Sequence, residues 1–156
     1  MLKVVLTIAS SLLICGCSLR GSELRTLQYI ETIIQEDPTF AFNQLTSFDI
    51  SKLDNQRERG LYSLLLSMAL DKNYIDIQTD SLISPAISYY SKAGDRYHKF
   101  LTYYYYGRVL ENASDNQKAL DSYLKAERLI NRTIPDEYIS RLYARKGRLY
   151  LLEFAH

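Results

Sequence analysis

Few side chains in this sequence could do chemistry, and spacing rules most of them out. Cys15 and Cys17 lie near the start, and His98 and His156 are the two histidines. A tetrahedral metal site needs about four such ligands at compatible spacing, and neither histidine has a carboxylate or thiol where a ligand partner would stand. "DKNYIDIQTDSL" carries Asp71, Asn73, Asp76 and Asp80. A calcium loop would place an oxygen ligand where Ile75 sits, a glycine at the turn and a glutamate where Leu82 stands, so a solvated linker is expected instead. HExxH, GxSxG and a phosphate loop are missing, and no Ser or Cys has the surroundings of an activated nucleophile. The sequence therefore predicts no enzyme, no metal site and no cofactor. His98 reads as a surface helix residue, and the triplets at 112–114 and 131–133 read as helix-end and turn residues.

The N-terminal segment "MLKVVLTIASSLLICGCS" has one cation, Lys3, an apolar run from Val4 to Ile14 and then small residues. That order is a secretory signal, and the run is about half of the roughly 20 residues a spanning helix needs. Its end, "ICGC", resembles the bacterial lipobox, which implies cleavage after residue 16 and lipid attachment at Cys17. Cys15 follows the large Ile14 and would leave with the signal. No thiol then remains for a disulfide or catalysis. The expected organisation is a signal peptide at 1–16, a lipidated tether at 17–22 and one helical domain at 23–156. Without Lys3 the 19 basic residues fall to 18, against 18 acids, so no basic surplus points to nucleic acid.

The remaining chain has few breakers, with six glycines and three prolines in all, and its apolar residues recur at helical spacing. Leu24, Leu27, Ile30 and Ile34 mark a helix that opens at Ser22 or Glu23 and stops at Pro38. A short helix over Phe40–Phe48 follows, then a longer one with Asp54 as cap. After a polar stretch, Asp71–Asp80, comes "SLISPAISYYSKAGD", with Gly94 closing one helix and Asp95 capping the next. A Tyr-rich helix runs to about Asn112. Another follows a cap at Ser114 or Asp115, and a last one opens at Pro135 and Asp136. Seven helices and an all-α class are predicted.

The four tyrosines of "FLTYYYYGRVL" cannot share a face. At 100° per residue, Tyr103, Tyr106, Gly107 and Leu110 fall on one stripe, and Leu101, Tyr104, Arg108 and Glu111 on another. Ala119, Tyr123 and Ala126 follow at spacings of four and three on the next helix. Together these residues resemble a tetratricopeptide (TPR) unit, in which small residues let two helices approach while an aromatic fills the gap; Leu110 replaces the usual Tyr. Ala86, Tyr90 and Ala93 repeat the second-helix triplet, behind a first helix with Tyr62, Leu65, Leu66 and Ala69 that lacks the glycine. Tyr143, Gly147 and Tyr150 repeat the first-helix signature, with Lys146 in place of a large apolar residue. An extended linker, Leu70–Pro85, and Asn131 in place of the closing proline also depart from the pattern. The resemblance covers residues 56–154. With the lipobox it is similar to TPR lipoproteins of the Bacteroidota type.

That resemblance implies a short α-solenoid of antiparallel helix pairs and a concave groove lined by Leu101, Tyr104, Arg108 and Glu111, then Arg141, Ala144, Arg145 and Arg148. Tyr104 is expected to belong to the groove and not to the core. The arginines would clamp a carboxylate or C-terminal tail, although Tyr104 and Arg108 stand where the family's carboxylate clamps have a lysine and an asparagine. The implied function is a non-catalytic protein- or peptide-binding adaptor of the bacterial envelope. It would be held by lipid in the outer membrane and face the periplasm, since Ser18 follows the cysteine and "SLRGSE" lacks an acidic export run. Alternatives are a ligand-sensing or glycan-uptake-associated subunit, or a truncated fragment of a longer TPR regulator. The last helix ends without a following partner, so Tyr143, Leu149, Tyr150, Leu152 and Phe154 are expected to leave an apolar strip for self-association or docking.

Overall fold

The structure, a computed structural model, describes residues 21–154. The signal peptide, Cys17 and most of the tether lie outside the described residues, as does the side chain of Phe154. The described residues form seven α-helices: α1 (Ser22–Ile33), α2 (Pro38–Thr46), α3 (Gln56–Lys72), α4 (Ser84–Tyr90), α5 (Arg96–Asn112), α6 (Asn116–Glu127) and α7 (Asp136–Phe154), with a short 3-10 turn at Ile50–Lys52. No strand occurs among them, and none of these helices is long and apolar enough to cross a membrane.

Local chemistry moves several of the expected boundaries. Pro38 starts α2 instead of stopping α1: its missing N–H costs nothing at a first helical position, and Asp37 caps the helix by accepting the Phe40 amide at 2.8 Å. Asn55, not Asp54, caps α3. Its Oδ1 accepts the Glu58 amide at 3.0 Å, while the Glu58 carboxylate reaches back to the Asp54 amide at 3.0 Å. This is a reciprocal arrangement close to a capping box. Asp95 caps α5 and Asp115 caps α6 through the His98 and Lys118 amides. Ser114 instead takes the left-handed conformation, φ 62°. Gly94, at φ 80°, lies in the turn beyond α4, as does Ala93, which is exposed there and not part of a second-helix packing triplet.

A regular spacing organises the bundle. Helices α3, α5 and α7 open at residues 56, 96 and 136, each 40 residues after the last. The first two also end alike. The Ile75 amide donates to the Leu70 carbonyl and the Asp115 amide to the Leu110 carbonyl, both at 2.9 Å, around left-handed Tyr74 and Ser114. Each is a Schellman closure. Every helix packs on the next, and α3 also contacts both α1 and α5.

The helix α5 is covered by α3, α4 and α6, so the two-stripe expectation for its tyrosines fails. Tyr104 is 3% exposed, Tyr105 1% and Leu101 0%, while Tyr103 and Tyr106 are half-buried on its flank. A helix with neighbours on several sides buries more than one stripe. Tyr104 packs among Phe100, Tyr105, Tyr123 and Tyr138, with ring centroids 5.0 to 6.3 Å away, and Leu101 is core. Both leave the groove-only role expected of them.

The packing of α5 against α6 depends on Gly107. A Cβ there would lie 2.6 Å from Cδ1 of Tyr123, whose ring is fully buried between the helices. Ala119 and Ala126 are buried on the same side of α6, as Ala86 and Tyr90 are on α4 and Leu110 is on α5. Gly147 occupies the corresponding place on α7, but nothing lies within 4 Å of its missing Cβ. Tyr143 and Tyr150 beside it are exposed. Lys146 is buried despite its charge, held 2.6 Å from Glu127 with its ammonium over the Tyr143 ring.

Candidate functional site

The C-terminal end of α3, the middle of α5 and the inner face of α7 line an open cavity of about 550 Å3. Six of the eight residues expected in the groove line it: Tyr104, Arg108, Arg141, Ala144, Arg145 and Arg148. The α7 residues recur at spacings of four and three, which sets them on one helical face. Leu101 does not take part, being packed in the core. Glu111 lies beneath the wall, its side chain 6% exposed, and binds the arginines together.

That carboxylate is the hub of the site. Its Oε2 accepts the Tyr123 hydroxyl at 2.8 Å and an Arg108 N–H at 3.3 Å, while Oε1 faces Arg145 at 3.5 Å and Arg148 at 3.2 Å. The Tyr123 phenol is pushed up, first by burial and then by the Glu111 charge, so it remains a donor. Arg108 is anchored from the other side by Asp71, Nε to Oδ1 at 2.7 Å. Burial works against the Arg108 charge, but Asp71 more than offsets it and holds the guanidinium above its ordinary range. Arg141 pairs with Glu137, one turn earlier on α7, at 2.5 Å.

The far wall was not legible in the sequence. Pro38, Asp71, Lys72 and Tyr74 come from earlier elements, and no local periodicity relates them to α7. Asp71 is a correction to the solvated-linker expectation, since it sits in the last turn of α3 with its carboxylate committed to Arg108. Asn73 likewise ties α3 to α2, donating to the Pro38 carbonyl at 2.9 Å and accepting from Thr39 at 2.9 Å. The αL backbone at Tyr74 turns its ring outward to the cavity mouth, 94% exposed. Lys72 is held below its ordinary value, first by lost hydration and then by the charge of Arg141.

His98 is a second correction. It is not a plain surface residue: Nε2 lies 2.8 Å from Glu31 on α1 and Nδ1 2.5 Å from Asp95, with the ring stacked on Tyr90 at 5.3 Å. Sequence separation hid Glu31, whereas Asp95, three residues upstream, was in view as a helix cap. Among the described residues no group of three or more His, Cys, Asp or Glu side chains could hold a metal ion. Asn131 forms a turn with its own triplet, accepting from the amide and hydroxyl of Thr133.

No protein-family model matches the chain, and no curated protein or solved structure matches it either.

Proposed function

We propose that this chain is a non-catalytic adaptor that binds a peptide or protein segment in the α3–α5–α7 cavity. On this proposal it is carried on the periplasmic side of the outer membrane by lipid at Cys17. The observation that supports binding is the cavity itself: about 550 Å3, with one wall built from Arg141, Ala144, Arg145 and Arg148 at helical spacing. Binding pockets commonly fall at about 300–1,000 Å3, and guanidinium forks suit recognition of carboxylate groups. Alternating contacts of α3 with α1 and α5, together with the Gly107–Tyr123 approach, support a TPR-like arrangement of the helices. The lipidation proposal rests on the "ICGC" sequence alone.

One experiment tests both halves. Membranes from cells producing the parent chain, Cys17→Ser or Arg145→Glu/Arg148→Glu are fractionated, and bound proteins are identified by mass spectrometry. Cys17→Ser is expected to leave the membrane fraction. The double arginine variant is expected to stay there and lose the partner that the parent retains. A partner held equally by the arginine variant would remove the cavity from the proposal, and unchanged fractionation of Cys17→Ser would remove the lipid.

A further inference from the structure

The α3–α5–α7 cavity carries more positive charge than its own carboxylates match. Five cations line it: Lys72, Arg108, Arg141, Arg145 and Arg148. Three carboxylates, Asp71, Glu111 and Glu137, are paired with them. Five against three leaves two positive charges facing the cavity.

The pairing is also uneven. Arg108 has a short contact to Asp71 at 2.7 Å, whereas one oxygen of Glu111 is shared by Arg145 and Arg148 at 3.5 and 3.2 Å. Charge-assisted bonds close to about 2.7–2.9 Å when well formed, so these two guanidinia, each with five N–H donors, keep donor capacity for another anion. Lys72 and Arg141 line the same cavity, and repulsion from Arg141 contributes to lowering the lysine's proton affinity. Like charges brought together in a concave site focus the field on an anion entering it.

We infer that this cavity binds a dianionic oxyanion, a phosphate as a monoester or free ion, held between Lys72 and the Arg141–Arg145–Arg148 face. Two charges distinguish this ligand from a single carboxylate, which would leave one cation unmatched. The volume also exceeds what a lone phosphate fills, so the group is expected to be borne on a larger molecule. The inference rests on the cavity being the binding site, as proposed above, but not on the ligand being a protein.

Isothermal titration of the purified full chain at matched ionic strength tests it, with inorganic phosphate, inorganic sulfate, acetate, succinate and O-phosphoserine as probes. Phosphate and sulfate are expected to bind saturably and at least about tenfold more tightly than acetate, a difference of about 1.4 kcal/mol. Arg148→Ala, at a side chain 62% exposed and so not needed for folding, is expected to weaken phosphate at least about tenfold. Tighter binding of O-phosphoserine than of phosphate assigns the group to a carrier molecule, and the reverse order assigns it to the free ion; either supports the inference. Equal binding of acetate and phosphate, succinate matching phosphate, or full affinity in Arg148→Ala would overturn it. Phosphate binding with no partner lost from the double arginine variant counts against the adaptor alone, and partner capture without phosphate binding counts against the oxyanion alone.

Discussion

At the scale of single residues, His98 shows how burial and charge compete. Burial alone would lower its proton affinity, but the neighbouring Glu31 and Asp95 carboxylates more than offset this and raise it above the ordinary value of 6.5. The groups facing it are Glu31 from α1, Arg57 from α3, Tyr89 and Tyr90 from α4, and Asp95 at the cap of α5. Only the imidazolium can donate from both ring nitrogens. Because the folded value is raised, the stabilisation is fully present below pH 6.5 and is lost as pH rises through the folded value. The parent is therefore expected to lose thermal stability between pH 6 and pH 8 at low salt, and His98→Gln to lose much less over the same interval. Parallel slopes for the two proteins would show that His98 contributes nothing.

At the scale of elements, two glycines in the same helical position have opposite roles. Gly107 is required because the buried Tyr123 ring occupies the space a Cβ would take, and that ring is fixed by its bond to Glu111. Gly107→Ala is expected to destabilise by about 1–3 kcal/mol through overpacking. Gly147 lies inside α7 with open space around it, so Gly147→Ala is expected to stabilise by about 0.5–1 kcal/mol, the backbone entropy that glycine costs in a helix. Urea unfolding of both variants reads the two signs directly. Destabilisation by Gly147→Ala would mean that this face of α7 is covered in solution.

At the scale of the whole molecule, the same face of α7 leaves an apolar strip in solvent. Leu142 and Leu149 turn inward and are buried, whereas Tyr143 is 50% and Leu151 74% exposed, with Tyr150 and Leu152 beside them. Adjacent exposed apolar side chains on one helix are the kind of surface that marks an interface. The full chain is expected to self-associate through this strip, with sedimentation velocity showing a concentration-dependent larger species that Leu151→Glu abolishes. A parent that sediments as a monomer at all concentrations would leave the strip without that role.

What the sequence determined by itself was whatever depends on neighbours within a turn or two. Caps such as Asp95 and Asp115, the existence of all seven helices, and the small-residue and tyrosine spacing of α5 and α6 are local signals, because a helix repeats every 3.6 residues. The arginine face of α7 was legible for the same reason. Tertiary structure decided which faces of those helices are covered. Tyr104 and Leu101 became core because α5 has neighbours on several sides. Asp71 and Lys72 became cavity wall because the end of α3 meets α7, more than 60 positions later in the chain. His98 gained Glu31 from α1 in the same way. Such pairings are set by how the helices stack, and no periodicity within one helix records what will lie against it.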